Sequence, residues 1–341
     1  MNDLKLSLYP YQLRFKFPFK IAHGTRSTTD VVYVRLEYKS FVGWGEATLP
    51  PYLPESQKSV IDFLSSVDLS IIEFPIDAIK VSSQIDDARF GNMAAKAALD
   101  MALWNLRSEM EGKTIGELLD ITGSKFPLDT YTIGVCGFDE MKLKVEAASG
   151  YGFEVFKIKL DGQNDQEMIN NFRRLSHKPF AVDVNQGWKS IDDATEKIKW
   201  LKDLGCILVE QPLQKNLFDE MKLLKNGSVL HLYADESCQT LEDLENISEA
   251  FTGVNIKLMK CGGISKAFQM IKRARELGLN VLIGCMSESS VGCTAAAHLA
   301  PLADYADLDG PYLIANDPFK GMTVEQGRIK LNPLVLTGQI E

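Results

Sequence analysis

The amino-acid sequence predicts an α/β fold in which a closed parallel barrel follows a smaller α+β domain. After residue 126, eight short apolar runs, rich in β-branched residues, each lead into a helical pattern, as expected for repeated strand–helix units. Runs two to eight end at positions 159, 184, 210, 235, 257, 284 and 309. This spacing of 22 to 27 residues leaves room for one strand, one helix and two loops. Eight such units favour a barrel with its helices outside.

The first 125 residues carry a different pattern. Three segments have strand character, at residues 4–17, 31–38 and 41–47. A proline-rich loop follows, and apolar residues then recur at helical spacing from 92 to 119. We therefore expect an α+β domain over residues 1–125, with residues 316–341 returning to it, and a barrel domain over residues 126–315.

The barrel strands are predicted at residues 130–134, 155–159, 180–184, 207–210, 232–235, 254–257, 281–284 and 305–309. The competing topology is an open, doubly wound parallel sheet. Such a sheet usually carries a glycine-rich phosphate loop after its first strand. The segment from Gly134 to Gly137 is a poor version of that loop, so the closed barrel is preferred.

Composition narrows the class of function. The chain has 37 basic and 46 acidic residues, a net charge of −9, which argues against nucleic acid or an anionic membrane as a partner. The start of the chain lacks the features of a signal peptide, and the longest low-charge stretch, 289–303, is too short to span a bilayer. The six cysteines form no C-x-x-C pair. We expect a cytoplasmic protein with a small-molecule substrate.

Charged side chains end most of the predicted strands, where barrel enzymes place their chemistry. Asp183, Glu210 and Asp235 come from three consecutive strands, so their carboxylates should converge. An oxygen-only ligand set without His or Cys favours Mg²⁺ over Zn²⁺. The alternative is a carboxylate cluster neutralised by lysines alone, and any single strand-end charge can also simply be solvated.

Three lysines accompany these acids. Lys157 and Lys159 lie two apart on one strand and therefore share a face. Ammonium groups about 6 Å apart repel each other by roughly 3 kcal/mol at an effective dielectric of 20. This repulsion lowers the pKa of one amine, so that it can stay neutral and act as a general base. Lys257 ends the sixth predicted strand, four strands after the one that carries Lys159. It should therefore face Lys159 across the barrel mouth. Two opposed bases can remove a proton from one face of a carbon and return it to the other.

Together these residues resemble the enolase superfamily, in its muconate-lactonising-type subgroup, over nearly the whole chain. The motifs that carry the resemblance are Gly43-Trp-Gly-Glu-Ala47, the helix over 95–119, Lys157-Ile-Lys159, Asp183-Val-Asn-Gln-Gly-Trp188, Glu210-Gln-Pro212, Asp235-Glu-Ser237, Lys257 and Gly262-Gly263. The resemblance implies a modified (β/α)7β barrel with a capping domain. It also implies a Mg²⁺-dependent isomerase that stabilises an enediolate next to a carboxylate.

Within that subgroup, Asp307 and Asp309 on the last strand look like the acidic pair with which dipeptide epimerases hold the substrate's α-ammonium group. The implied substrate is an Ala-Xaa dipeptide whose C-terminal α-carbon is inverted, with Lys159 and Lys257 exchanging the proton and Lys157 tuning its neighbour. The remaining candidates are Asn185, Gln211 and Glu236 as supports of the metal ligands, and Met286, Glu288, Thr132, His23 and Arg26 as substrate contacts.

The identity of Xaa and the reaction leave alternatives open. Relatives that act on Ala-Glu tend to carry a basic residue where this chain has Gly24, with Arg26 two positions later, so we favour an apolar Xaa over Glu. An o-succinylbenzoate synthase or cycloisomerase would use the same lysines and metal. Two alternatives from other classes are a metal-free aldolase with Lys159 as a Schiff base and a catalytically silent binding barrel. The sequence leaves a homo-oligomer open.

Overall fold

The computed structural model describes residues 3–21, 24–51, 53–121, 123 and 125–340. Within these ranges, no helix combines the length and the apolar character that crossing a bilayer requires. The N-terminal part is an antiparallel sheet in the order β1-β2-β3, covered by helices. Its elements are β1 (Lys5–Ile21), β2 (Gly24–Tyr38), β3 (Phe41–Leu49), α1 (Gln57–Ser65), α2 (Ala78–Ala88), α3 (Met93–Glu111) and α4 (Ile115–Leu118).

The single helix predicted over 92–119 is two helices in the structure. Gly112 ends α3 in the left-handed region, with φ of 62°, a conformation that glycine adopts at little cost. Thr114 then begins α4 with a capping box, in which Thr114 and Glu117 satisfy each other's backbone N–H groups. The helical spacing of apolar residues continues from α3 into α4. The sequence pattern alone therefore did not reveal the break between the two helices.

Two glycines let β3 lie directly on α3. A β-carbon at Gly45 would stand 1.8 Å from the carbonyl oxygen of Ala98, and one at Gly43 would stand 2.1 Å from that of Ala102. No side chain fits in these positions, because the contacts are with helix backbone. The Gly-Trp-Gly part of the motif is therefore a packing requirement of the capping sheet.

The barrel strands are parallel and follow one another in chain order around the sheet. An isolated parallel bridge between Asp129 and Ala306 joins the last strand to the first and closes the barrel. The monotonic order and this closure exclude the open doubly wound sheet, in which strand order reverses. The strands are β4 (Thr130–Ile133), β5 (Val155–Lys159), β6 (Phe180–Asp183), β7 (Cys206–Glu210), β8 (His231–Ala234), β9 (Gly253–Lys257), β10 (Asn280–Gly284) and β11 (Tyr305–Asp307).

Helices on the outside follow these strands, as the repeat predicted. They are α5 (Phe138–Gly150), α6 (Asp165–Leu175), α7 (Ile191–Asp203), α8 (Phe218–Gly227), α9 (Leu244–Ala250), α10 (Leu258–Cys261), α11 (Ile264–Glu276), α12 (Ser290–Ala297) and α13 (Gly310–Leu313). Single 3₁₀ turns lie at Leu69–Ile71, Leu241–Asp243 and Ala300–Leu302. Most of the buried apolar residues form one large core that continues into the capping sheet, and two smaller clusters lie apart from it.

The C-terminal residues form four short strands: β12 (Phe319–Lys320), β13 (Thr323–Glu325), β14 (Arg328–Lys330) and β15 (Val335–Leu336). Phe319 packs against Tyr33 and Trp44, with ring centroids 5.1 Å apart in both pairs. This segment therefore contacts the N-terminal sheet. The exact domain boundaries at 125 and 315 stay a prediction.

The close approach of β3 to α3 makes a stability prediction. Replacing Gly45 by alanine should lower the free energy of unfolding by about 3 kcal/mol, the upper end of what overpacking usually costs, because the new methyl group meets helix backbone. Gly150→Ala is the matched control, since nothing lies within 4 Å of a β-carbon there. Urea unfolding should show less than about 1 kcal/mol of change for the control. Equal stability of the two variants would contradict the packing account.

Candidate active site

A cavity of about 460 Å³ opens at the carboxyl ends of the barrel strands, a size typical of small-molecule sites. Its wall combines charged residues from the strand ends with apolar residues such as Phe19, Leu53 and Leu313. The charged residues of the wall are Arg26, Lys159, Lys215, Asp235, Glu236, Lys257, Lys260, Asp307 and Asp309. Five of the strand-end charges predicted from the sequence thus line one shared space, namely Lys159, Asp235, Lys257, Asp307 and Asp309.

The acid triad consists of Asp183, Glu210 and Asp235, at the ends of β6 and β7 and just after β8. All three are buried, and each offers an oxygen atom within 4.8 Å of those of the other two. Burial raises the pKa of Glu210 to about 7, with the nearby Asp183 carboxylate adding to the effect. An oxygen-only set of three buried carboxylates fits a hard divalent cation such as Mg²⁺.

Two of the lysines are attached to different members of the triad. Lys159 Nζ donates to Asp183 at 2.5 Å, and Lys257 Nζ donates to Asp235 at 2.7 Å. Their strands, β5 and β9, stand four places apart around the barrel. The two amines therefore reach the acid triad from strands on opposite sides of the barrel.

Lys157 lies deeper than its neighbour and is fully buried. Its Nζ is 2.8 Å from Glu210, 2.7 Å from Asp307 and 3.5 Å from Asp183. Burial acts to lower the pKa of Lys157, but these carboxylates outweigh it and raise the pKa well above its usual value. These contacts favour the charged form of Lys157, which suits it to supply positive charge next to the triad rather than to act as the base.

Asp307 and Asp309 lie at the seam between β11 and β4. Asp307 accepts hydrogen bonds from Lys157 and from the hydroxyl groups of Thr130 and Thr132, at 2.7, 2.8 and 3.2 Å. Asp309 accepts the backbone N–H of Thr132 at 2.5 Å. Burial, with the Asp307 charge beside it, raises the pKa of Asp309 to about 7. Both carboxyl groups face the cavity and form an acidic subsite.

The predicted supporting residues connect the loops that carry the acids. Gln211 accepts the backbone N–H groups of Asp235 and Ser237, at 3.0 and 3.1 Å. The backbone N–H of Asn185 donates to Asp183 at 2.9 Å. Its side-chain amide donates to Glu236 at 3.2 Å. Asn185 and Gln211 have φ of 45° and 38°, a conformation rarely adopted by residues other than glycine. Strained backbone of this kind clusters at functional sites.

The predicted substrate contacts fall in three different environments. Arg26, from the capping domain, lines the cavity and donates to the Ser287 hydroxyl at 2.9 Å, while Met286 and Thr132 line the wall. Glu288 is 1% exposed and accepts the backbone N–H of Met286 at 2.7 Å, so it supports the loop from behind the wall and does not line the cavity. His23 lies outside the described residues.

Sequence reasoning missed two residues that hold the triad. Lys260 uses all three of its N–H donors, on the Asp235 carboxylate and on the carbonyl oxygens of Asp235 and Asn255, at 2.7 to 2.8 Å. The Asn255 amide donates to Glu210 at 2.9 Å. A signal existed for both. Asn255 precedes Lys257 by two residues on the same face of β9, and Lys260 follows it by about one helical turn.

The site thus combines a carboxylate triad that can hold a divalent cation, two amines on different sides of it, and an acidic subsite. An arrangement of this kind can polarise a substrate carboxylate, move a proton at the adjacent carbon, and hold a cationic group.

Comparison with known proteins agrees with this geometry. Residues 139–332 match the family model of the enolase C-terminal domain-like proteins. Residues 5–120 match that of the mandelate racemase / muconate lactonizing enzyme N-terminal domain. An L-Ala-D/L-Glu epimerase of Bacteroides thetaiotaomicron is 40% identical, over 98% of this chain and 87% of the relative.

Solved structures show the same likeness. The substrate-liganded L-Ala-D/L-Glu epimerase of Bacillus subtilis is 30% identical, with a TM-score of 0.88 over 99% of this chain and 98% of that one. A dipeptide epimerase of Cytophaga hutchinsonii, solved with Mg and D-Ala-L-Val, is 27% identical, with a TM-score of 0.87 over 97% of this chain and 94% of that one. The chain therefore belongs to the enolase superfamily, in its mandelate racemase and muconate lactonizing enzyme branch.

Proposed function

We propose that this protein is a Mg²⁺-dependent dipeptide epimerase that inverts the α-carbon of the C-terminal residue. The observation that carries the proposal is the attachment of Lys159 and Lys257 to different members of one acid triad, beside the acidic subsite. The epimerases of dipeptides among its relatives support the same reaction class.

The two lysines exchange the α-proton. A substrate whose carboxylate lies at the triad presents its α-carbon between the Lys159 and Lys257 amines. One amine removes the proton from one face, and the other, as an ammonium, returns a proton to the opposite face. Because Lys157 stays charged beside Glu210 and Asp307, it keeps a fixed positive charge next to this chemistry.

Asp183, Glu210 and Asp235 would hold the Mg²⁺ ion, which supplies positive charge to the substrate carboxylate as negative charge develops there. Lys260 keeps the Asp235 carboxylate in a fixed orientation, and Asn255 does the same for Glu210. Ligands held by further hydrogen bonds are already arranged when the ion binds.

The acidic subsite binds the substrate's α-ammonium group. Its two carboxyl groups come from the end of β11, which lies two strands from β9, the strand of Lys257, and two strands from β5, the strand of Lys159. This subsite separates the proposal from an o-succinylbenzoate synthase or a cycloisomerase, whose substrates carry no such amine. A free amino terminus is therefore part of the predicted substrate.

The side chain of the second residue lies near the capping domain in this proposal. Phe19, Leu53 and Met286 give that part of the cavity an apolar wall, which favours an apolar Xaa. The guanidinium group of Arg26 in the same wall favours a second candidate, an Ala-Glu substrate. Arg26 stands 5.5 and 6.0 Å from the ring centroids of Phe15 and Phe19, so the rings hold it in place.

Incubation with Ala-Xaa dipeptides in D₂O tests the proposed reaction. Mass spectrometry and NMR should show one deuterium at the C-terminal α-carbon together with inversion of that centre. EDTA should abolish both changes and Mg²⁺ should restore them, because the proposed reaction depends on the cation that the three carboxylates hold.

Three outcomes would contradict this function. Absence of deuterium with every dipeptide tested would exclude an epimerase of this type. Turnover that survives EDTA, together with borohydride trapping of a Schiff base on Lys159, would instead support the aldolase. A silent binding barrel would bind ligands but show no difference between the wild type and Lys159→Ala.

Arg26→Met tests whether Arg26 recognises the side chain of the second residue of the substrate. The substitution removes the charge but keeps an apolar side chain of similar length. Turnover of Ala-Glu, measured as kcat/KM, should fall about 30-fold, the equivalent of roughly 2 kcal/mol for a charge-assisted hydrogen bond. Turnover of Ala-Leu should change less than about threefold. An unchanged ratio between the two substrates would show that Arg26 does not contact the second side chain.

A further inference from the structure

Asp129 is a buried acid that the proposed mechanism does not use. It precedes β4 at the seam where the barrel closes, and its side chain is completely buried. Its Oδ1 atom accepts the backbone N–H of Leu308 at 2.8 Å and that of Thr130 at 3.0 Å. Its own N–H donates to the carbonyl of Gly327 at 2.8 Å, which ties it to the C-terminal segment.

The Leu308 N–H lies between the two acids of the proposed ammonium subsite. The backbone ladder across the seam includes the bond from the Ala306 N–H to the Leu128 carbonyl. In a parallel pair the next N–H on the same side belongs to Leu308. Here the Asp129 carboxyl group accepts it, and β11 ends at Asp307. The orientation of the peptide between Asp307 and Leu308 therefore depends on a side chain.

Three further contacts of this segment come from the same stretch of chain. Thr130 and Thr132 donate to Asp307, and the Thr132 N–H donates to Asp309. Residues 129–132 thus act as a template against which both acids are set. Within that template, Asp129 is the member that bonds to the backbone between them.

The surroundings of Asp129 favour its neutral form. Its Oδ2 atom is buried and makes no hydrogen bond to the described residues. Burial, together with the charges of Asp309 and Asp307, raises the pKa of Asp129 well above its usual value. A neutral acid can accept the two N–H groups without adding a third negative charge beside the subsite.

We propose that Asp129 is a positioning residue that fixes Asp307 and Asp309 for recognition of the substrate's α-ammonium group, by accepting the Leu308 N–H across the barrel seam. This inference rests on the proposed function for the identity of the ligand. The positioning itself is a property of the fold and can be measured without any substrate.

Asp129→Asn and Asp129→Leu separate the ability of the side chain to accept the Leu308 N–H from its contribution to packing. Asparagine keeps a neutral acceptor in place, whereas leucine has a similar size and accepts nothing. Thr252→Val is the matched control just before another barrel strand, β9, because the Thr252 hydroxyl accepts the Leu232 N–H at 2.8 Å in the same manner. Asp129→Ala, which leaves room for water, replaces Asp129→Leu if that variant does not fold.

Hydrogen exchange measured by mass spectrometry tests the positioning. Peptides that contain residue 308 should exchange at least tenfold faster in Asp129→Leu than in the wild type. They should exchange at wild-type rates in Asp129→Asn and Thr252→Val. Wild-type exchange in Asp129→Leu, or equally fast exchange in Asp129→Asn, would overturn the proposal whatever reaction the protein catalyses.

Calorimetric titration tests the recognition. The wild type should bind L-Ala-L-Leu more tightly than its N-acetyl derivative, and Asp129→Leu should lose at least tenfold of this preference. Asp129→Asn should keep the preference within about twofold because it retains the acceptor. Thr252→Val should also keep it, because a general structural loss weakens the binding of both ligands alike. A wild-type preference in Asp129→Leu would overturn the role in recognition. A wild type that binds neither dipeptide contradicts the proposed function, and the exchange result still decides the positioning.

Discussion

The mutual compensation of buried charges at one end of the barrel is the interaction on which the rest of this structure depends. Four lysines and four acids lie there with almost no exposure to solvent: Lys157, Lys159, Lys257, Lys260, Asp183, Glu210, Asp235 and Asp307. Removing one partner of such a buried pair usually costs about 3–5 kcal/mol, because the other is left uncompensated. The network therefore fixes the strand ends in register, and the same charges are available for chemistry.

The capping domain completes the site because its sheet can lie close to the barrel helices. Asp100 on α3 accepts the N–H and the hydroxyl of Ser265, at the beginning of α11. Glu46 on β3 accepts the N–H groups of Ser289 and Gly292, at the beginning of α12. Buried carboxylates from the cap thus satisfy the free N–H groups of two barrel helices. These contacts hold Arg26 and its aromatic neighbours over the cavity.

The sequence predicted the barrel and a cluster of acids and lysines at one end of it, because strand alternation and spacing determine which side chains share a face and an end. It did not predict contacts that depend on how distant segments meet. Lys260 acts through three bonds formed only when α10 folds back on β8 and β9. Asp129 acts across the seam, 179 residues from Leu308. Glu288 had the right position in the chain, but its carboxyl group turned towards the Met286 backbone and away from the cavity.

Proton exchange by variants that lack one lysine tests the central claim most directly. Lys159→Ala and Lys257→Ala would each be incubated in D₂O with the two C-terminal epimers of an Ala-Xaa dipeptide that the wild type converts. If the amines lie on opposite faces of the α-carbon, each variant should exchange the α-proton of one epimer only, and the two variants should retain opposite epimers. Exchange of the same epimer by both variants would place the two amines on one face and contradict the account.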